Sequence, residues 1–315
     1  FFKQKTAYDI PLRLVGSEMC IRDSIGTGRY LNFLPQYYEH IEENFLPNTE
    51  KTILAFTDGE MEGLPDNVKV YHQEHLEWPF ITLKRFEIIN KAREEILKND
   101  WFVFIDADAF VVGKVTEEEF LERCCGSTTD EVPLFGVHHP CHRAGMPPHK
   151  TKTGAYETDE KSEAYFDVSK ELPPIYWQGC FWGGKVPPVL AMIDEIEGRV
   201  NRDLENDIVA LWHDETHINK YFFEREFDVH TFGIEYAYPQ LFQMEEYWME
   251  VLEPEYRDPE IIKKLVIGDG SMNTGDDSTI PVMEYPAKIL HLAKNNPILQ
   301  EGSSELDRSK ASLEL

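Results

Sequence analysis

Hydrophobic positions along the chain fall into short blocks of two kinds. KTILAFTD (51–58), NVKVYHQ (67–73) and WFVFI (101–105) are compact apolar runs bounded by turn residues, which predicts strands. LNFLPQYYEHIEENF (31–45) and ITLKRFEIINKAREEILKN (81–99) instead predict helices. The second places Ile81, Phe86, Ile89 and Ile96 at roughly helical spacing and carries Arg/Lys toward its C-terminal half, where the helix dipole favours cations. WFVFI does not alternate, as expected of a parallel strand buried on both faces. Further on, IYWQGCFWGG (175–184) predicts a strand and a tight turn, and PPVLAMIDEIEGRVNRDLEND (187–207) a helix opened by proline. ALWHDETHINKYFFE (210–224) predicts another helix and 225–240 strand, while 138–170 reads as loop holding a helical piece, DEKSEAYF. The alternation of strands and helices predicts an α/β fold, a mostly parallel sheet with helices on both faces.

The two ends depart from this pattern. FFKQKTAYDIPLRLVGSEMCIRDS (1–24) has no clean period and resembles a translated sequencing adapter, so it is expected to be non-native, to pack poorly and to stand where a native first strand is truncated. A single domain is expected over 25–300, with a Gly-rich inserted loop within 258–286, an apolar-then-basic piece KILHLAKNNP (288–297), and a frayed tail over 301–315.

Composition narrows the function classes. Asp and Glu number 58 against 31 Lys and Arg, a net charge of -27, which repels nucleic acid and anionic membrane surfaces. No apolar run reaches membrane-spanning length. The five cysteines form no CxxC pair, as expected of reduced thiols in a cytoplasmic protein. Such an acidic protein needs local positive charge or a cation to handle an anionic substrate. Oligomeric state is not encoded in any of these features.

The candidate chemistry begins where WFVFI ends, at Asp106-Ala107-Asp108. Ligands of α/β proteins bind beyond the C-terminal ends of parallel strands. Two carboxylates there repel each other unless a cation joins them. Mg²⁺ or Mn²⁺ held by one or two carboxylates takes further oxygens from water and substrate phosphates, so DxD at a strand end predicts a divalent metal and a diphosphate. The bland alternative is an acidic turn. A haloacid-dehalogenase-like phosphatase also uses paired aspartates, but its pattern wants Thr or Val where Phe110 stands. A second constellation, HDETH (213–217), falls short of the zincin HExxH because Asp214 occupies the Glu position.

WHDETHINKY resembles the WHDESHLNKY signature of glycosyltransferase family 6, which includes the histo-blood-group A and B transferases and α-1,3-galactosyltransferase. IGTGRYLNFLP, FTD (56–58), WPFITLKRFEII (78–89), IDADAF, LFGVHHP (134–140), YETDEKSEAY (156–165), YWQGCFWGG (176–184) and AKNNP (293–297) follow in the family's order over roughly 25–300. The resemblance implies a GT-A fold and retaining transfer of Gal or GalNAc from a UDP-sugar to the 3-hydroxyl of a β-galactosyl-type glycan acceptor. A non-catalytic nucleotide- or carbohydrate-binding relative is the rival reading. Because this chain keeps both acids where several bacterial relatives carry NxN, the resemblance implies dependence on Mn²⁺ or Mg²⁺.

Roles follow position by position. The resemblance makes Asp106 and Asp108 metal ligands and Glu215 the catalytic carboxylate that faces the anomeric carbon. It gives the donor Ile25, Thr27, Tyr30, Arg85, Ala107, Gln178, Gly179, Cys180, Asp214 and Lys294, with Lys294 reaching the diphosphate. His139, Trp212 and Glu215 would meet the acceptor, and Trp78 would join the wall. Cys180, larger than the Gly that admits an N-acetyl group in the family, leans the donor toward Gal. Pro239 replaces the family's acidic acceptor contact.

Overall fold

A computed structural model describes residues 19–61, 63–125, 134–139, 156–170, 175–225, 229–240, 272–273, 279–280 and 287–292. Its centre is a seven-stranded sheet in the order β3-β2-β1-β4-β7-β6-β8. The strands are β1 (Met19–Ile25), β2 (Lys51–Thr57), β3 (Val68–His72), β4 (Trp101–Ile105), β6 (Leu134–His138), β7 (Trp177–Lys185) and β8 (Val229–Phe232). The pairs from β3 to β4 are parallel, β7 runs antiparallel to both neighbours, and β6 pairs β8 in parallel. A smaller sheet holds β5 (Ala109–Val111), β12 (Ile289–His291) and β9 (Tyr238–Pro239), in that order. A short antiparallel pair, β10 (Met272–Asn273) and β11 (Thr279–Ile280), stands apart.

Both faces of the large sheet are covered, which explains why WFVFI shows no alternation. On one face Trp101, Val103 and Ile105 of β4 share a core with α1 (Leu34–Asn44) and with Phe120 of α5 (Glu117–Cys125). On the other, Phe102 and Phe104 join α3 (Arg85–Asn90), α6 (Val186–Glu205) and α7 (His213–Phe223). Trp182 of β7 is fully buried there, stacked on Phe104 at 5.2 Å between ring centroids and tilted against Phe86 at 5.5 Å. This mixed sheet with helices on both faces is the expected α/β class, of GT-A-like type.

Several local expectations are corrected. The 81–99 helix is broken into α2 (Phe80–Leu83), α3 and α4 (Arg93–Ile96), with Lys84 and Ala92 outside helical geometry. The chain turns at Lys84 just before Arg85, whose side chain is drawn inward to two carboxylates, so a tertiary constraint overrides the helical period. The tight turn expected at Gly183-Gly184 is absent, and β7 continues to Lys185. Gly183 answers a different need, because a Cβ there would lie 2.2 Å from the Phe102 carbonyl oxygen of β4. DEKSEAYF forms turns instead of a helix. Its backbone is captured by side chains: the Glu163 N–H donates to Asp203 (2.8 Å) and the Lys161 N–H to Asp159 (3.0 Å), contacts that compete with helical bonding. The helix expected from residue 31 opens as a 3-10 turn, Gly28–Phe33, and becomes α1 with proline in its first turn. Strand over 225–240 proves to be β8, a 3-10 turn at Ile234–Tyr236, and β9.

Of the segment expected to be foreign, Met19 onward supplies β1, hydrogen-bonded between β2 and β4. Residues 1–18, Lys294 and the tail at 301–315 lie outside the described residues, as does most of the proposed inserted loop. Cys124 and Cys180 are free thiols. Among the described residues, no helix is long and apolar enough to cross a membrane.

Candidate active site

The site forms at the end of β4, where β7, α3 and α7 converge. The Asp106 N–H donates to the Cys180 carbonyl (3.0 Å), which fixes the turn after β4 against β7. Arg85 reaches in from α3. Its Nη1 donates to the Gly179 carbonyl at 2.6 Å and lies 3.1 Å from an Asp214 oxygen, and its Nη2 donates to Asp106 at 3.1 Å. The guanidinium also rests on the Phe104 ring, 4.4 Å from its centroid. Burial lowers the Arg85 pKa, but the Asp106 and Asp214 carboxylates more than offset it, so the group stays charged.

α7 presents Asp214 and Glu215 from its first turn, where acids suit the helix dipole. Asn219, one turn on, clamps the helix to β7: its amide oxygen accepts the Trp177 N–H (2.8 Å) and its amide nitrogen donates to the Trp177 carbonyl (2.7 Å). The clamp brings Glu215 Oε2 to the Gly179 N–H at 2.8 Å. Burial raises the Glu215 pKa to about 7, against the Gly179 bond and reinforced by the neighbouring Asp214 charge. Burial also raises Asp214, to about 6, with Arg85 opposing. Gly179 sits among these groups: a Cβ there would meet Asp214 Oδ2 at 3.4 Å, the Glu215 Cβ at 3.5 Å and Arg85 Nη1 at 3.7 Å.

The second part of the site comes from the end of the described chain. β12 lies antiparallel to β5 with His291 opposite Ala109, and the Leu292 N–H donates to the Asp108 carbonyl at 2.7 Å. This register brings His291 Nε2 to 3.3 Å from Asp108. One ligand atom each from Asp106, Asp108 and His291 lies within 4.8 Å of the others, a group able to hold a metal ion. Two oxygens and an imidazole nitrogen suit a borderline divalent cation. Asp108 is only 4 % exposed, and such closely set acids call for positive charge. The donor chemistry therefore fits a divalent metal.

The other sequence candidates occupy surrounding positions. Ile25 ends β1 opposite Phe56, at the same end of the parallel strands where Asp106 follows β4. Thr27 is buried with its hydroxyl 3.0 Å from His75 Nδ1, and Tyr30 packs on Phe33 at 5.8 Å. Gly28, in left-handed backbone (φ 55), turns its N–H onto the Asp58 carboxylate at 3.0 Å. Ala107 is buried beside Asp108, and the Cys180 side chain lies in the core with Ile105 and Phe181. Gln178 contacts His291, with its amide nitrogen 3.1 Å from Nδ1. His139 is buried and its N–H donates to the Tyr176 carbonyl at 2.8 Å. The Trp212 N–H donates to the Thr216 hydroxyl (3.0 Å), and Trp78 is 57 % exposed with its edge on the His213 ring at 4.7 Å. Pro239 lies in β9, opposite His291.

The profile of Glycosyltransferase family 6 matches residues 23–244. The chain belongs to glycosyltransferase family 6. It is 29 % identical over 201 residues to the O-antigen biosynthesis glycosyltransferase WbnI of Escherichia coli, covering 63 % of this chain and 80 % of that protein. It is 26 % identical over 202 residues to histo-blood group ABO system transferase 2 of Rattus norvegicus, covering 61 % and 55 %. To the human globoside alpha-1,3-N-acetylgalactosaminyltransferase 1 the identity is 24 % over 206 residues, covering 62 % and 54 %. The match thus spans about half the length of these mammalian relatives. As a family 6 glycosyltransferase, the chain takes a sugar donor and an acceptor.

Two residues of this candidate site escaped sequence reasoning. Asn219 sits inside the quoted HINKY motif, one helical turn after Glu215, a spacing that places both on one face. His291 ends an apolar stretch, ILH, and only its partner strands identify it as a neighbour of Asp108.

Proposed function

We propose that this family 6 member is a metal-dependent, retaining transferase that moves Gal or GalNAc from a UDP-sugar to the 3-hydroxyl of a β-galactosyl-type acceptor. The observation that carries the reading is the convergence on Gly179. Arg85 ties Asp106 to Asp214, and Glu215 is held on the adjacent N–H, all around a residue without a side chain. The acceptor linkage is supported by the relative whose name describes an alpha-1,3-N-acetylgalactosaminyltransferase.

In this reading Asp106 and Asp108 hold Mn²⁺ or Mg²⁺, which supplies Lewis-acid charge neutralisation for the departing diphosphate. Arg85 keeps Asp106 ionised and fixes its oxygens. Asp214 accepts hydrogen bonds from hydroxyls of the donor sugar, in the space that Gly179 leaves open. The bond between the anomeric carbon and the UDP oxygen breaks with its electron pair leaving on UDP. Glu215, as carboxylate, faces the anomeric carbon and stabilises its growing positive charge or bonds to it transiently, and the acceptor 3-hydroxyl then forms the new bond and gives its proton to the departing UDP oxygen. Ile25, Thr27 and Tyr30 are assigned to the uracil side. Lys294 is assigned to the diphosphate, and His139 and Trp212 to the acceptor. The catalytic domain is assigned to residues 25–300.

UDP release from UDP-Gal and UDP-GalNAc, with and without Mn²⁺, tests this proposal. Glu215→Gln should retain Mn²⁺-dependent UDP binding and lose at least about 10²- to 10³-fold in turnover, the range for removing one group that stabilises transition-state charge. UDP binding without Glu215-dependent turnover would instead identify a non-catalytic relative.

A further inference from the structure

Gln178 lies on β7, one residue before Gly179, and its amide is directed at His291 rather than at open space. The side chain is 9 % exposed, its nitrogen is 3.1 Å from His291 Nδ1, and its oxygen Oε1 is buried without a hydrogen-bond partner. We propose that Gln178 and His291 form a unit in which His291 is the third protein ligand of the cation and Gln178 selects the imidazole tautomer that permits this. The inference rests on the reading of Asp106 and Asp108 as metal ligands.

The geometry supports two hydrogen-bonding states of one pair. With the amide nitrogen donating, Nδ1 is the acceptor, and the ring proton of the neutral imidazole sits on Nε2, facing Asp108 at 3.3 Å. A half-turn of the amide puts Oε1 in the same place. Nδ1 then carries the proton and donates it to Oε1, which satisfies the buried oxygen and leaves the Nε2 lone pair directed at the two carboxylates. Metal-ligating histidines commonly donate their second ring N–H to such an outer partner, which fixes tautomer and orientation. Two strand contacts hold the ring in place, the β12–β5 register at Ala109 and the bond from the Leu292 N–H to the Asp108 carbonyl.

A nitrogen ligand also alters metal choice, because imidazole favours later transition metals while carboxylates alone accept Mg²⁺ readily. The test is pulsed electron paramagnetic resonance of Mn²⁺ bound to the full chain in the presence of UDP. Directly coordinated ¹⁴N modulation is expected in the unsubstituted protein and should vanish in His291→Ala. Titration of Mn²⁺ should show affinity at least tenfold weaker in His291→Ala and about tenfold weaker in Gln178→Leu, with Gln178→Glu equal to or tighter than the parent. The preference for Mn²⁺ over Mg²⁺ should narrow in His291→Ala. Absence of ¹⁴N coupling in the unsubstituted protein overturns the proposal, whatever the variants do. Full affinity in Gln178→Leu overturns the tautomer role. Asp108→Asn separates the two levels of inference: if it leaves Mn²⁺ binding intact, the metal reading of the DxD pair itself fails. If it abolishes binding while His291→Ala does not, only the third ligand is lost.

Discussion

Arg85 is the charge on which the acid cluster depends, and Arg85→Met removes it while keeping much of the apolar stem over Phe104. The arginine side chain is 6 % exposed and serves Asp214 (7 %) and Asp106 (25 %), each at 3.1 Å. Removing one partner of a buried ion pair costs roughly 3–5 kcal/mol, because the remaining charge is left uncompensated. The lower end, about 3 kcal/mol, applies here, since Asp106 reaches solvent and Asp214 can take up a proton. Urea denaturation followed by circular dichroism should show a midpoint lower by on the order of 1 M at pH 7. Repeated at pH 5, the difference should narrow: with its pKa near 6, Asp214 is then protonated in the parent as well, so the parent too has lost that ion pair. A variant within 1 kcal/mol of the parent at pH 7, or a gap that widens in acid, would refute the view that Arg85 offsets the Asp106 and Asp214 carboxylates.

Glu215, with a folded pKa near 7, should give kcat/KM that rises with pH through about 7, because the required form is the carboxylate. Its contribution to stability runs the other way. A carboxyl group whose folded pKa is raised stabilises the fold below its unfolded value and loses that contribution as pH climbs through 7, so thermal melts of the parent and Glu215→Gln should converge in acid. Gly179→Ala makes only ordinary contacts, so its melting behaviour should match the parent, while turnover falls at least about tenfold as the methyl group enters the space before Asp214 and Glu215. An unchanged turnover would remove Gly179 from the donor site. Chelation with EDTA should abolish UDP release and Mn²⁺ should restore it, whereas full activity in EDTA would place this chain with metal-independent relatives.

The buried framework was legible because its signals are local. WFVFI reads as a strand covered on both faces, and the helix from Val186 reads from its prolines and period. DAD was visible as a strand-end acid pair, and its setting between β4 and β7 follows from the fold. What was illegible depends on distant partners. Gly183 looks like a turn residue in isolation, and only the approach of β4 reveals its function. The 81–99 stretch keeps a helical period that the inward reach of Arg85 interrupts. DEKSEAYF has helix-compatible composition, yet Asp203 on α6 accepts its Glu163 N–H and Ser162 hydroxyl. His291 belongs to a strand of three residues, too short for any pattern to register, and its meaning comes from the strands on either side.

The position of β12 in the chain has a consequence for how the protein comes into being. Among the described residues, every strand of the large sheet is complete by Phe232, whereas His291 leaves the ribosome after both aspartates, the arginine and α7 have already been made. A chain cut or prematurely ended between β9 and β12 would carry all seven main strands and still lack a ligand that the proposed centre requires. Compactness and full chemical competence would then be reached at separate moments in synthesis, and full-affinity loading with the ion would report that translation had passed β12.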